Sequence, residues 1–120
     1  MARHTMIVTG GAGFIGANFV RVALKKPDVH IIVVDKLTYA GHRENLDGLW
    51  EHPRLEFIHG DIADAETMGR VMATYQPRWV INFAAESHVD RSIDDPNPFI
   101  QTNVTGTLVL LEAARQMVKQ

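Results

Sequence analysis

The stretch Thr9-Gly-Gly-Ala-Gly-Phe-Ile-Gly16 lies between a short apolar run at residues 6–8 and a segment of helical periodicity at residues 14–26. Its glycines have the spacing G-x-x-G-x-x-G from Gly10 and the spacing G-x-G-x-x-G from Gly11. A glycine-rich turn that joins a strand to a helix is typical of dinucleotide-binding folds. The stretch therefore predicts a strand, a tight turn and a helix that together bind a dinucleotide.

The glycines of this turn have separate physical roles. Gly10 makes the tight turn, Gly13 lets the main chain approach a pyrophosphate, and Gly16 allows the helix to pack closely on the strand. The main-chain N–H groups near Phe14 and Ile15 are expected to point at the phosphates from the helix N-terminus. The pattern therefore predicts a pyrophosphate site at the start of this helix.

An acidic residue, Asp35, ends the second predicted strand about twenty residues after the turn. Its carboxylate is placed to accept hydrogen bonds from the ribose diol of an adenosine and to repel a 2′-phosphate. This favours NAD over NADP, although Lys36 beside it leaves NADP open. A simple turn with an unrelated surface aspartate is the alternative, and the strand before the glycines and the helix after them count against it.

A second carboxylate, in Asp61-Ile62, ends the third predicted strand and is expected to lie beside Asp35 in the sheet. A carboxylate next to an aliphatic side chain suits the exocyclic amine and the ring face of an adenine. The same residues could equally form a strand-end turn that leads into the helix capped by Asp64. The sequence leaves both interpretations open.

The rest of the chain alternates short apolar runs with amphipathic segments. Strands are predicted at residues 6–8, 29–34, 55–58 and 79–83, and helices at residues 14–26, 42–50, 64–75 and 98–118. Such alternation indicates βαβ units with right-handed crossovers. We predict an α/β fold, an incomplete Rossmann-like doubly wound parallel sheet of about four strands in the order 3-2-1-4. Residues 1–120 would form the amino-terminal part of an NAD-binding Rossmann domain.

Helical periodicity also predicts which faces are buried. The first helix is expected to bury Ile15, Phe19, Val22 and Ala23, and the helix after Asp64 to bury Met68, Val71, Met72 and Tyr75. In the last helix, Asn97 is expected to be the cap and Pro98 the first residue.

The last helix carries two apolar stripes. The first consists of Ile100, Val104, Leu108 and Leu111, and the second of Phe99, Leu110, Ala113 and Met117. A helix that is apolar over so much of its circumference is usually buried on two sides. We expect one side on the sheet and the second stripe exposed for a partner, either further chain or a second subunit. The expected assembly is a homodimer through the helix at residues 98–118.

Composition excludes several classes of protein. The 120 residues contain no cysteine, which excludes disulfides and thiolate catalysis. The net charge of −2, without a basic run, argues against a nucleic-acid partner. No apolar stretch is long enough for a membrane span or a signal peptide, and the histidines lack metal-binding spacing. We expect a cytoplasmic protein without a metal site.

A polar cluster follows the fourth predicted strand, in the sequence Ala84-Ala-Glu-Ser-His-Val-Asp-Arg-Ser92. The two small residues at its start would let a cofactor pass close to the main chain. The polar residues could orient a substrate, or they could form an ordinary solvated loop. Spacing alone does not distinguish these interpretations.

Four stretches together resemble the dTDP-glucose 4,6-dehydratases, a family of the extended short-chain dehydrogenase/reductases. They are Thr9-Gly-Gly-Ala-Gly-Phe-Ile-Gly16, Asp35-Lys-Leu-Thr-Tyr-Ala-Gly41, Ala84-Ala-Glu-Ser-His-Val-Asp-Arg-Ser-Ile93 and Asn103-Val-Thr-Gly-Thr107. The second and third stretches are much more specific to this family than the glycine turn. By this resemblance Ser87 would face the nucleotide-sugar, and NAD would be contacted by Phe14, Ile15, Asp35, Lys36, Leu37, Thr38, Asp61, Ile62, Ala84, Ala85 and Thr102.

The resemblance also implies a reaction, the NAD-dependent dehydration of dTDP-glucose to dTDP-4-keto-6-deoxyglucose. It proceeds by oxidation at C4, loss of water across C5–C6 and return of the hydride to C6. The catalytic Tyr-x-x-x-Lys pair of these enzymes is not found, because Tyr39 is followed four residues later by Arg43 and Tyr75 by Trp79. We therefore expect no catalytic residue within the chain, with the catalytic region and the sugar-binding domain beyond Gln120. A non-catalytic NAD-binding module, or an epimerase or dehydratase of another nucleotide-sugar, is the alternative.

Overall fold

A computed structural model describes residues 4–37, 42–84 and 95–119. Its first half contains β1 (His4–Thr9), α1 (Phe14–Ala23), β2 (Val29–Asp35), a 3₁₀ turn (Arg43–Leu46) and β3 (Leu55–His59). Its second half contains α2 (Ala65–Tyr75), β4 (Trp79–Asn82), α3 (Asn97–Ile100), a π-helical segment (Gln101–Gly106) and α4 (Thr107–Lys119). Strands and helices alternate as the sequence predicts, except that the helix predicted at residues 42–50 is only a 3₁₀ turn at Arg43–Leu46.

The four described strands form one parallel sheet in the order β3-β2-β1-β4. The predicted Rossmann-like fold class and strand order are therefore confirmed. The strands extend slightly beyond or stop slightly short of the predicted ranges, by one or two residues at their ends. Because all four strands run in the same direction, their carboxyl ends meet at one edge of the sheet.

The sheet separates two apolar clusters, and neighbouring residues of one strand belong to opposite clusters. The first cluster, on the α1 side, includes Val8 and Val33; the second cluster, on the side of α2 and α4, includes Ile7 and Ile32. All four side chains have no exposed surface. A strand covered on both faces reads as a continuous apolar run in the sequence, which explains why β2 was readily predicted.

The predicted face of α1 is half right: Phe19 and Ala23 are partly buried and pack against the first cluster, but Ile15 and Val22 do not. Ile15 is 68% exposed and Val22 is 62% exposed, whereas Ala17 and Val20 are buried in the first cluster. The reason is the close approach of Gly16 to the turn that precedes it, which rotates the neighbouring small residues toward the sheet. Helical periodicity identifies the spacing of a face, but a tertiary contact selects which face is buried.

The helix α2 agrees with its prediction. The carboxylate of Asp64 accepts a hydrogen bond from the main-chain N–H of Thr67 at 3.2 Å and another from its hydroxyl at 2.8 Å. Met68, Val71 and Met72 are buried as predicted. The helix ends at Gln76, whose φ of +44° is left-handed. Local signals therefore define both ends of this helix.

The last helix differs from its prediction in three respects. It begins at Asn97 with Pro96 as the cap, and Asn97 donates its main-chain N–H to the carboxylate of Asp95. Its middle is π-helical rather than α-helical. The second stripe is buried through Leu110 and Ala113, because it packs on the sheet and α2. The exposed surface belongs instead to the first stripe, at Ile100, Val104, Leu108 and Leu111.

Candidate functional site

The glycine turn lies at the carboxyl edge of the sheet, between the ends of β1 and β4. Gly10 has a φ of +68°, a left-handed conformation that L side chains rarely adopt. A Cβ at this position would lie 2.5 Å from the nitrogen of Ala84 and 2.5 Å from the carbonyl carbon of Phe83. The main chain after β4 thus occupies the space that any side chain would need, and Gly10 is required for two independent reasons.

The start of α1 packs against the same turn. A Cβ at Gly16 would overlap the carbonyl oxygen of Gly10, and a Cβ at Gly11 would lie 2.7 Å from Cγ1 of Val33. The role predicted for Gly16, close packing of the helix on the strand, is therefore realised as packing of the helix on the turn. The contact of Gly11 with β2 was not predicted. The sequence did carry a signal for it, because Gly11 is the first glycine of the G-x-G-x-x-G spacing.

Gly13 is the N-cap of α1, with extended φ and ψ of −75° and 171°. Glycine has no side chain that could cap the helix, so the first N–H groups of α1 remain available to another acceptor. The two residues that follow, Phe14 and Ile15, are 76% and 68% exposed. An uncapped helix start beside exposed apolar side chains suits an anion that carries apolar groups.

The carboxylate of Asp35 is tied to the turn. Its Oδ2 accepts the main-chain N–H of Ala12 at 2.9 Å, and its Oδ1 accepts the N–H of Leu37 at 2.7 Å. The side chain is buried, with 7% of the residue exposed. A carboxylate has about four acceptor positions, so two protein donors leave capacity for further hydroxyl donors. Asp35 therefore both shapes the turn and can accept hydrogen bonds at the end of β2.

Asn45 is a site residue that the sequence did not indicate. Its side-chain amide donates to the carbonyl oxygen of Ala12 at 2.7 Å. The guanidinium of Arg21 in turn donates to the main-chain oxygen of Asn45 at 2.8 Å. In the sequence, Asn45 only weakened the prediction of a regular helix. An asparagine in an irregular segment after the acidic strand end was the one available signal.

The carboxylate of Asp61 lies at the end of β3, next to the end of β2. Its Oδ2 is 3.3 Å from Nζ of Lys36, and its Oδ1 accepts the N–H of Ala63 at 2.9 Å. The predicted neighbourhood of the two strand ends is therefore present, and Asp61 also forms the strand-end turn. The side chain of Ile62 is only 3% exposed and packs in the second cluster. Most of its surface therefore contacts the apolar core beneath the carboxyl edge of the sheet.

A hydrogen-bond network joins the ends of β1 and β4. The hydroxyl of Thr9 donates to Oδ1 of Asn82 at 2.5 Å, and the same oxygen accepts the N–H of Ala84 at 3.0 Å. Thr102 is buried in the π-helical segment, with 8% of the residue exposed. The predicted site residues Thr38, Ala85 and Ser87, and also Tyr39 and His88, lie outside the described residues.

The site residues that the structure describes are gathered at one edge of the sheet, as the topology requires. This arrangement offers main-chain N–H donors and the carboxylate of Asp35 at the glycine turn, and the pair of Asp61 and Lys36 at the neighbouring strand ends. Among residues 4–37, 42–84 and 95–119, no three histidine, aspartate or glutamate side chains come together as potential metal ligands. In the same part of the chain, every helix is too short or too polar to cross a bilayer.

Comparison with known proteins places this geometry in a family. A sequence model of the family described as GDP-mannose 4,6 dehydratase matches residues 7–120. The chain belongs to this family. The match includes the glycine turn and both acidic strand ends, so the family signature and the candidate site coincide in the sequence.

Among the relatives in this family, dTDP-glucose 4,6-dehydratase 1 of Escherichia coli is 54% identical over 110 residues, which cover 92% of the chain and 30% of the relative. The crystal structure of DesIV, a dTDP-glucose 4,6-dehydratase of Streptomyces venezuelae with NAD bound, has 47% identity and a TM-score of 0.88. That match covers 95% of the chain and 36% of DesIV.

The fold of the family extends to epimerases. UDP-glucose 4-epimerase of Thermotoga maritima, solved with UDP-glucose, has 35% identity and a TM-score of 0.84, over 94% of the chain and 34% of the epimerase. The chain thus spans about a third of the length of the relatives it matches.

Proposed function

We propose that the chain supplies the NAD-binding part of a dTDP-glucose 4,6-dehydratase, which converts dTDP-glucose to dTDP-4-keto-6-deoxyglucose. The observation that carries this proposal is the link between Asp35 and the glycine turn, made by the 2.9 Å hydrogen bond from the N–H of Ala12. This bond holds a carboxylate with spare acceptor capacity directly beside the glycine turn, which supports the proposal that Asp35 binds a ribose diol next to a pyrophosphate. The 54% identity with the Escherichia coli dehydratase supports the choice of reaction.

The described residues fit the adenosine and pyrophosphate portions of NAD. Gly13 is the N-cap and has no side chain that could cap the helix, so the uncapped start of α1 offers its N–H donors to phosphates. The exposed side chains of Phe14 and Ile15 can be covered by a bound dinucleotide. The nicotinamide ring, when bound, supplies reversible hydride transfer. The work of this chain is to hold the adenosine end so that the other end reaches the sugar.

The remaining contacts are proposed from the matching stretches. Leu37, Thr38, Ala84, Ala85 and Thr102 would contact NAD, and Ser87 would face the nucleotide-sugar. We place the catalytic Tyr-x-x-x-Lys pair and the sugar-binding domain outside residues 1–120. Because dinucleotide and nucleotide-sugar are the only partners this chemistry needs, the proposal includes neither nucleic acid nor membrane, and we propose a cytoplasmic location.

We also propose a homodimer that buries the first stripe of the last helix. Leu108 is 59% exposed, Leu111 is 65% exposed and Val104 is 63% exposed. Three large apolar side chains on one helix face form a patch of the kind that marks protein–protein contacts. A second copy of the same helix would provide a matching apolar face.

A nucleotide-sugar epimerase is the second candidate function, and the structural similarity to the Thermotoga maritima epimerase favours it. The two reactions share the cofactor but differ in product. Incubation of the intact protein with NAD and dTDP-glucose, followed by mass spectrometry, separates them. The dehydratase product is lighter by one water molecule, whereas an epimer has the mass of the substrate. An unchanged mass together with a changed sugar configuration would therefore reject the dehydratase.

The cofactor proposal is tested by calorimetric titration of Asp35→Asn with NAD and NADP. The substitution removes one negative charge and one hydrogen-bond acceptor. We therefore expect the affinity for NAD to fall at least about tenfold, or about 1.4 kcal/mol. The ratio of the dissociation constant of NADP to that of NAD should also fall. Asp28→Asn, in the turn before β2, is the matched control and should bind like the wild type. If the wild-type protein binds neither dinucleotide, the proposed function is wrong.

A further inference from the structure

Gly106 ends the π-helical segment and is buried against Ile62, in the turn that follows β3. A Cβ at this position would lie 2.6 Å from Cγ1 of Ile62 and 2.7 Å from Cδ1 of the same side chain. Non-bonded carbon atoms are ordinarily about 3.5–4.0 Å apart. A methyl group at position 106 therefore cannot be accommodated unless Ile62 moves.

Ile62 has little room to move. Its side chain is 3% exposed and belongs to the second cluster, with Ile32, Val34 and Met68. Protein interiors are packed as densely as organic crystals, so these neighbours resist a displaced side chain. The displacement is then transmitted to the main chain of the turn that holds Ile62.

The adjacent residue in that turn is Asp61. Its carboxylate accepts the N–H of Ala63 at 2.9 Å and lies 3.3 Å from Nζ of Lys36. The first contact lies within the turn, but the second joins the turn to the residue after β2 and therefore depends on the position of the turn. A shift of Ile62 therefore changes the place of a carboxylate at the carboxyl edge of the sheet.

We propose that Gly106 is a positioning residue for the adenosine end of the dinucleotide site. The missing Cβ lets Ile62 seat in the second cluster, and the seated Ile62 places Asp61 beside Lys36. The inference rests on the proposed NAD-binding function and adds to it a residue from the last helix. Thr102, another predicted contact of NAD, is buried in the same π-helical segment.

The test is Gly106→Ala in the intact protein, titrated by calorimetry with NAD, with ADP and with dTDP. We expect the dissociation constants of NAD and ADP to rise by the same factor, about tenfold, because both ligands contain the adenosine end; that factor corresponds to about 1.4 kcal/mol. The dissociation constant of dTDP and the binding stoichiometry stay unchanged. A purely structural role would instead lower the stoichiometry and leave the dissociation constants of the folded molecules intact, and that result overturns the proposal.

Gly69→Ala is the matched control, since Gly69 is a helical glycine of α2 with no heavy atom within 4 Å of its Cβ position. It should bind all three ligands within twofold of the wild type. If Gly106→Ala also binds NAD within twofold of the wild type, the proposal is overturned while the proposed function stands. Failure of the wild-type protein to bind NAD rejects the proposed function itself.

Ile62→Ala removes Cγ1 and Cδ1, the two atoms that crowd position 106, and provides a second test of the proposal. In that background, Gly106→Ala should change the NAD dissociation constant less than twofold, and its methyl group should raise the urea midpoint by filling part of the new cavity. This comparison is valid even if Gly106→Ala alone fails to fold. A tenfold loss of NAD affinity in the Ile62→Ala background contradicts the proposed route through Ile62.

Discussion

The side-chain amide of Asn45 donates a hydrogen bond to the main-chain carbonyl oxygen of Ala12 at a distance of 2.7 Å. Ala12 is fully buried at the centre of the glycine turn, and its N–H donates to Asp35. Two side chains from separate parts of the chain therefore hold one residue of the turn. This arrangement keeps the main chain of the turn in one conformation before any ligand binds.

Asn45→Ala should loosen the turn and lower the free energy of unfolding by about 1 kcal/mol, the usual worth of one hydrogen bond. The loss is moderate because the oxygen of Ala12 also accepts the N–H of His42 at 3.1 Å. We expect NAD affinity to fall as well. Asn18→Ala is the control, since Asn18 donates to the oxygen of Phe14 on the exposed side of α1. Urea denaturation and calorimetry that show equal effects for both variants would contradict the assigned role of Asn45.

Gly10→Ala and Gly48→Ala separate backbone strain from crowding. Both glycines have positive φ, +68° and +85°, but only Gly10 has main-chain atoms within 2.5 Å of its Cβ position. We expect Gly48→Ala to cost about 1–2 kcal/mol from the left-handed conformation alone. In Gly10→Ala the new methyl group also overlaps the main chain after β4, so the total cost should be about 2–5 kcal/mol. Equal urea midpoints for the two variants would show that the contact with β4 is unimportant.

The cap of α2 predicts a dependence of stability on acid. The hydroxyl and then the N–H of Thr67 hold the pKa of Asp64 below its ordinary value of 3.8. Because the folded pKa is lower than the unfolded pKa, this stabilisation is present above pH 3.8 and is lost as the pH falls through the folded pKa.

Thr67→Val removes the hydroxyl donor and should raise the pKa of Asp64, as measured by carboxyl-carbon NMR titration. Thr74→Val, at an exposed position of the same helix, is the control and should leave the pKa of Asp64 unchanged. An Asp64 pKa that is the same in wild type and Thr67→Val would refute the role of the hydroxyl.

Leu111→Glu tests the proposed homodimer. Leu111 is 65% exposed in the first stripe, so a charge there should not harm the isolated fold, whose stability should change by less than about 0.5 kcal/mol. A charge buried in a dimer interface without a partner is strongly unfavourable. Sedimentation velocity should therefore show a dimer for the wild type and a monomer for the variant. Val22→Glu, at a 62% exposed position of α1, should remain dimeric, and a monomeric wild type would reject the proposal.

Local sequence signals predicted the elements and the strand order. The apolar β-branched run of β2, the Asp64 cap and the glycine spacing each act over a few residues, so the chain nearby carries all the information. The prediction of adjacent carboxyl ends for β2 and β3 also succeeded, and the contact between Lys36 and Asp61 reflects it. Right-handed crossovers leave few ways to arrange such strands.

Contacts between distant residues could not be predicted in the same way. The buried face of α1 depends on the fit of Gly16 against Gly10, and the periodicity alone selected Ile15 and Val22. The π-helical turn of the last helix changes the register that a uniform 100° rotation assumes. The second stripe is buried because α4 packs beside α2 on the same face of the sheet.

The sequence by itself determined a parallel Rossmann-like sheet, a glycine turn and an acidic strand end, because these features follow from local conformation and from the small set of allowed connections. The tertiary structure decided how they are joined. Ala12 is held by both Asp35 and Asn45, and Gly106 leaves space for Ile62. Such contacts join residues that are far apart in the chain, and their geometry is set by packing, which no short stretch of sequence encodes.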